Sequence, residues 1–464
     1  MKPQLSLLTL CLLLGACTSS TQRPDSGIQS PAAWQSPHNE SAALDNLKWW
    51  TQFGSPQLDQ LIEQAQVGSF DLAAAIARVR QAQADTVIAG GSLLPEVKAG
   101  VNANRQKLMR GNGYSKLDAD SSNKAVDYFD ANLTASYEID FWGGQRASRD
   151  SAQFGLQASE FDQATVELTL LSGVANSYAQ SLSLLEQSRI AELNLANAQN
   201  VLKLVQTRFD SGSATALELA QQKSLVAAQQ RQLPLVQQQA QDARISLAAL
   251  LGQPVQRLPA SQERFDQLTW PTIAAGVPSE LISRRPDIAR AEAQLAAAQA
   301  DVTVARAKML PTVTLSAELG SGADRAADML RSPFYNLTAG LLAPVFNNGR
   351  LSAERDKTVA RQQELLETYR GAIINGFADV EKALNSIRGL DEQRQWQGEE
   401  LNQAQTAFNI AQSRYQAGAE DLLTVLETQR TLYAAQDLNV QLRLSRMQAS
   451  IALYKALGGG WQVL

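Results

Sequence analysis

The chain has 464 residues, 19% of them charged, and a formal net charge of −5, so it can bury a large core and offers no basic surface for nucleic acid. Its two cysteines, Cys11 and Cys17, fall in the first 17 residues, and its one histidine, His38, lies in a Ser/Pro/Asn-rich segment. A Cys/His zinc site and His-dependent nucleophilic or acid–base catalysis are thereby nearly excluded, while carboxylate chemistry is not.

At the N-terminus, Lys2 is followed by the apolar run LSLLTLCLLLGA. The run is too short to span a bilayer as a mature helix and predicts a signal peptide over 1–16. Leu14-Gly15-Ala16-Cys17 resembles the bacterial lipobox, in which cleavage leaves the cysteine first and acylated (palmitate among its chains), with no disulfide. An ordinary signal peptide with a chance cysteine is the alternative. Thr18 stands where an aspartate tends to hold such lipoproteins in the inner membrane, which points to the outer membrane. Residues 17–56 would then form a lipidated linker. No later stretch approaches ~18 apolar residues, so no transmembrane helix is expected.

Two stretches next read as strands. In PEVKAGVNANR, Val97, Ala99, Val101 and Ala103 alternate with Glu96, Lys98, Gly100, Asn102 and Asn104. In FDANLTASYEIDFW (129–142), Phe129, Leu133, Tyr137 and Phe141 share one phase, and Asp130, Asn132, Ser136, Glu138 and Asp140 the other. Such alternation predicts one apolar and one wet face. The polar, Gly-rich segment 106–127 would join the two as a loop.

From Gln145 to Phe209 there is no proline, and Leu168, Leu171, Val174, Ala175 and Tyr178 recur at helical spacing. This run of about 65 residues predicts a helix roughly 100 Å long, in an extended bundle rather than one compact globule. Gly212 ends it. In the shorter helix that follows, Pro234 should kink or break the chain locally, and the Gln-rich run around it reads as a solvated face.

The same order then recurs. Arg208–Gly252 aligns without a gap with Arg414–Gly458, pairing Gly212 with Gly418, Leu217 with Leu423 and Gly252 with Gly458. Upstream, AQADTVIAGGSLLPEV (82–97) matches AQADVTVARAKMLPTV (298–313), and LTASYEIDFWGGQR (133–146) matches LTAGLLAPVFNNGR (337–350). Two unrelated domains would not share this order, so the chain is an internal duplication. Residues 57–252 form the first repeat, 253–280 a Pro-containing linker and 281–464 the second repeat. The second repeat's strands are PTVTLSAELG and FYNLTAGLLAPVF, joined by 320–333, and its long helix is proline-free from Arg350 to Tyr415.

Strands of about 9–11 residues can cross an outer membrane when tilted, but lipid cannot satisfy an open sheet edge. Four strands cannot close, and eight leave an interior filled by side chains. Three chains and twelve strands are the smallest symmetric closure with room for a passage. A half-buried sheet on a soluble helical domain shows the same alternation and remains the alternative at this point.

Leu281 to Pro311 reads LISRRPDIARAEAQLAAAQADVTVARAKMLP. Arg284-Arg285-Pro286-Asp287, Ala291-Glu292 and Ala305-Arg306-Ala307 with Pro311 resemble the signature of the outer-membrane efflux protein family, the TolC/OprM-like channels, in their NodT-type lipoprotein branch. WWTQFGSPQLDQLIEQA (49–65), GSLLP (91–95) and KALGGGW (455–461) match further landmarks, and the resemblance covers nearly all of the mature chain. It implies an α+β membrane protein in the outer membrane of a Gram-negative bacterium. Three chains would form one twelve-stranded β-barrel, four strands each, continued by a periplasmic α-helical barrel about 100 Å long. The linker would run down the outside from the lipid on Cys17, and 253–280 would join an equatorial belt.

The resemblance implies no enzyme and no cofactor beyond that lipid. It implies a passive exit duct for drugs or other small molecules, working with an inner-membrane pump, proton-driven or ATP-driven, and a periplasmic adaptor. With only five methionines, a methionine ladder for copper or silver is not supported. The alternatives are a type I protein-secretion exit duct and a periplasmic helical scaffold lipoprotein without a pore.

At the tunnel's inner end the resemblance names residues. Leu423 and Glu427, four apart, share one helix face. The family's corresponding positions form an apolar ring and an acidic ring that constrict the closed pore. Leu423 would be a steric collar and Glu427 a filter disfavouring anions. The family usually has aspartate there, and the first repeat has Leu217 and Gln221 at the matching places. Tyr415 matches a tyrosine whose hydrogen bonds help keep the gate shut. Arg208, Gly212, Arg414, Gly418, Glu420 and Asp421 are candidate tip contacts with the adaptor. Arg208 and Arg414 equally suit helix C-terminal caps, and Asp421 a helix N-cap. Asp130, Glu138, Asp140 and Glu318 read as solvated lumen wall.

Overall fold

The computed structural model describes residues 25–36, 48–106, 126–271, 273 and 275–461. The expected signal peptide, Cys17, His38 and most of the 106–127 loop lie outside the described residues. In chain order the elements are α1 (Pro56–Gly68), α2 (Phe70–Gly91), β1 (Glu96–Gln106), β2 (Val126–Ile139), α3 (Gly144–Asp210) and α4 (Ala216–Leu250). They continue with α5 (Pro278–Arg284), α6 (Pro286–Ala307), β3 (Thr312–Ala323), β4 (Pro333–Leu342), α7 (Arg350–Gln416) and α8 (Leu422–Ala456). The repeat is visible in the lengths, since α3 and α7 have 67 residues each and α4 and α8 have 35 each. Two compact units form, each drawing on both repeats, one chiefly from Ile88–Phe154 and Glu292–Tyr369, the other from Gln29–Val87, Gly155–Ala291 and Arg370–Leu464.

In the first unit the strands make one antiparallel sheet in the order β1-β2-β3-β4. The register sets Val97, Ala135, Ala317 and Leu337 in one row and Lys98, Thr134, Glu318 and Asn336 in the next. The alternations of the four strands therefore superimpose, giving one apolar and one polar face. On the apolar face Val97, Val101, Leu133, Leu315, Leu319, Leu337 and Leu341 are all exposed in the single chain. β1 and β4 each keep one edge without a strand partner among the described residues.

β2 stops at Ile139 and does not reach Trp142. Asp140 turns its carboxylate onto α3, accepting hydrogen bonds from the backbone N–H groups of Gln145 and Arg146 and from Arg146 Nε, each at 3.0 Å. Gly143, at φ 74°, completes the bend. Asp140 therefore satisfies orphan N–H groups at a helix start and is not a wall residue.

In the second unit, Trp49, Phe53, Ile62, Val174, Tyr178, Leu247, Ile451 and Tyr454 pack as a core, with Trp49 stacked on Tyr454 at 5.0 Å. Segment 253–280 adds Leu258, Phe265 and Leu268 to that core. The linker seats Trp34 against Phe377 and donates a 2.8 Å hydrogen bond from Trp34 Nε1 to the Gly276 carbonyl. Buried polar groups fix the helix heights: Gln222 donates to the Ala198 carbonyl at 2.8 Å, Tyr433 to that of Asn194 at 2.8 Å and Gln397 to that of Ala435 at 2.9 Å. α4 continues through Pro234, so the helix does not break there. The missing N–H removes a single bond, and buried Val226 and Val236 hold both sides of it to the bundle.

The Arg-Arg-Pro-Asp run ties α6 to the end of α8. Arg285 donates two bonds to Asp287, at 2.9 and 2.7 Å, one to Asp379 at 3.1 Å and one to the Ala456 carbonyl at 3.2 Å. Burial alone would raise the Asp287 carboxyl, but the Arg285 bonds and charge outweigh it and hold the group below its ordinary 3.8. A depressed carboxyl contributes stability above its unfolded pKa, and that stability is lost as pH falls through the folded value. Asp287→Asn is thus expected to cost about 2 kcal/mol at pH 7 and to flatten the loss of thermal stability below about pH 4. Melting curves against pH check this; an acid limb unchanged in the variant would remove Asp287 from the linkage.

Candidate functional site

The ends of α3 and α7 are built alike. Ser213 N donates to the Arg208 carbonyl at 2.7 Å, and Ala419 N to the Arg414 carbonyl at 2.9 Å. Gly212 and Gly418, at φ 74° and 76°, take the left-handed position that lets each turn close. The next helices start differently. Thr215 caps α4 in a capping box with Glu218, by bonds of 3.2 and 2.6 Å. Asp421 caps α8, accepting from Thr424 N at 2.9 Å, and this bond holds its carboxyl below the ordinary value.

Most tip acids are thus engaged locally. Glu420 pairs with Arg414 at 3.1 Å, while the Arg414 guanidinium also donates to the Ala419 carbonyl at 3.3 Å. Glu427 is exposed, and its carboxylate has no hydrogen bond or ion pair among the described residues. Leu423 beside it is 58% exposed, an unusual place for leucine in a tightly packed hairpin. Arg430, also exposed, completes the stripe: at 100° per residue, positions 423, 427 and 430 fall within about 60° of one another. In the first repeat Leu217 is exposed, but Gln221 puts no charge there.

Within the single chain, Tyr415 shows ring contacts rather than the hydrogen bonds that the resemblance implies. It is 1% exposed, and its hydroxyl is enclosed with no hydrogen-bond partner among the described residues. Its ring instead lies under the Arg208 guanidinium at 4.3 Å. It packs with Val201, Val205, Phe408, Leu422 and Val425, so it joins the two hairpins through ring contacts. Arg208 is accordingly directed at Tyr415 rather than at its own helix end.

On the sheet, Asp130, Glu138 and Glu318 lie on the polar face with Glu96 and Lys98. Asn102 donates to Asp130 at 2.9 Å, Asn132 to Glu318 at 3.3 Å, and Lys98 pairs with Glu96 at 2.9 Å. Lys98 is the single base of that face among the described residues, so the face is net acidic.

The capping box of Thr215 and Glu218 could have been read from its T-x-x-E spacing. Arg430 carries no motif, and only its helical angle from Leu423 marks it. The Arg208–Tyr415 contact joins positions far apart in sequence and leaves no local signal. No described helix is long and apolar enough to cross a membrane, which says nothing of the sheet.

Comparisons with known proteins agree with this architecture. A family profile described as "Outer membrane efflux protein" matches residues 61–253 and 277–459. The chain is similar to the pyoverdine export outer membrane protein OpmQ of Pseudomonas aeruginosa, at 64% identity over 99% of this chain and 97% of the relative. It is 61% identical to OpmQ of Pseudomonas putida over the same shares. Among solved structures, the outer-membrane channel OprN superposes with a TM-score of 0.87 at 27% identity, over 96% of this chain and 100% of that one.

Proposed function

This chain belongs to the outer membrane efflux protein family and is an outer-membrane efflux channel; from that premise we propose that three copies close one barrel and that the cargo is pyoverdine or a near relative of it. What supports the cargo is the 64% identity with a pyoverdine export protein along 99% of the chain. What supports the trimer is the open sheet, whose β1 and β4 edges need partners in lipid. The exposed apolar face then meets lipid, and the acidic face lines the passage.

The duct is passive. An inner-membrane pump supplies the energy, a periplasmic adaptor couples the two, and Cys17 carries the lipid. The gate is the stripe on α8, with Leu423 as collar and Glu427 as charged ring. Tyr415 and Arg208 hold the two hairpins of one chain together, and the turns with Gly212, Arg414, Gly418, Glu420 and Asp421 face the adaptor.

Removing the gene from a pyoverdine-producing host tests the cargo. Pyoverdine, quantified by mass spectrometry, is expected to fall in the medium and accumulate in the periplasm, and the intact gene should restore export. An unchanged partition between medium and periplasm overturns the assignment.

A further inference from the structure

β3 carries Gly320 and Gly322 on the polar face, two residues and so about 6.7 Å apart along the strand. Both are overlain. A Cβ on Gly320 would lie 2.6 Å from Phe334 Cζ, and one on Gly322 2.3 Å from the Tyr128 hydroxyl and 2.7 Å from its Cζ. Each ring therefore covers bare backbone that any side chain would deny it. The rings are not buried by this contact, with Phe334 42% and Tyr128 43% exposed.

The position of the two rings is out of keeping with the rest of the sheet. Phe129, Tyr137 and Tyr335 are in the apolar phase, whereas Phe334, paired directly with Gly320, and Tyr128 share the phase of Asp130, Asn132, Glu318 and Asn336. Lipid contact does not account for aromatics on that face. Their neighbours are anionic: Asp130 is two residues from Tyr128, Glu318 is two residues from Gly320, and Asn102 and Asn132 orient those carboxylates. Lys98, the face's one base among the described residues, is paired with Glu96 and does not neutralise them.

We infer that Tyr128 and Phe334 form a contact band for cargo in transit that favours planar aromatic cations. The inference rests on the reading that this face lines a passage. A π-face stacks on any planar ring and attracts positive charge, and the adjacent carboxylates supply the countercharge. Three chains would present six such rings around the lumen. The rival account is structural, with the rings serving only to cover glycine in a sheet.

The test uses the full-length protein reconstituted in lipid, with ethidium as planar aromatic cation and tetraethylammonium as aliphatic cation of equal charge. In the unmodified protein, ethidium is expected to bind at least about fivefold more tightly than tetraethylammonium, the lower end of what one stacked ring provides. Tyr128→Leu with Phe334→Leu should abolish that preference while keeping apolar cover over the glycines. Asp130→Asn with Glu318→Gln should weaken both cations alike. Equal binding of the two cations by the unmodified protein, or a preference that survives the leucine pair, overturns the inference. Conductance of the same preparation is read in parallel: its absence in a Leu423→Ala background counts against the duct and leaves the binding result to judge the rings.

Discussion

Glu427→Gln is expected to lower the preference of the open channel for cations by about tenfold, since in the proposed trimeric gate three like charges a few ångströms from one ion weight its passage that strongly even after screening. The structure makes the effect larger than loss of an acid alone. Arg430 lies on the same stripe of α8, so removing the carboxylate leaves an uncompensated basic ring and should carry selectivity across to anions. Arg430→Gln should do the reverse. Leu423→Ala, which trims the proposed collar, supplies the conducting background in which both are read. Reversal potentials in a salt gradient across planar bilayers give the answer, and an unchanged potential in the Glu427 variant would put that residue off the conduction path.

The second large effect concerns stability. Gly252 and Gly458 end α4 and α8, at φ 67° and 89°. A Cβ on Gly252 would sit 2.0 Å from the Gly68 carbonyl oxygen, and one on Gly458 1.9 Å from that of Arg284. The same close approach therefore occurs in both repeats, at a backbone that cannot swing aside. Gly458→Ala is expected to cost about 2–5 kcal/mol, combining left-handed backbone strain with overpacking against main chain. Gly212 and Gly418 provide the control. Their φ is similar, but nothing lies within 4 Å of a Cβ at Gly212, and only the Arg208 guanidinium at 3.5 Å meets one at Gly418. Alanine there should cost only about 1–2 kcal/mol. Thermal melting of the assembled protein separates the two classes; equal losses would show that the close approach is unimportant.

The strands, the paired long helices and the duplication were all legible, because each rests on a period or a gap-free match. The pairing of Gly252 with Gly458 was also visible, but not its reason, since the carbonyl each one meets comes from a distant segment. Two local readings failed in instructive ways. Phe141 and Trp142 continue the alternation of β2, yet Asp140 is drawn away to satisfy the start of α3, and a helix end outweighed a strand pattern. Pro234 has every property of a helix breaker, and buried neighbours on both sides overrode it. At the tip, the exposed face that Leu423 and Glu427 share was readable from their spacing. Tyr415 was readable as a residue but not as a contact, because its partner Arg208 belongs to the other repeat. The glycine–aromatic pairs on the sheet needed the cross-strand register, which no single stretch of sequence contains.

The unpaired edges of the sheet also have a genetic meaning. In the proposed trimer each chain supplies β1 to one neighbour and β4 to another, so a copy whose edge strand is blocked, by a proline for instance, spoils every ring it enters. If such a copy were made in equal amount with the intact one, only about one trimer in eight would be free of it. Its inheritance would be dominant, with an intact gene present and most of its product trapped in rings that cannot close.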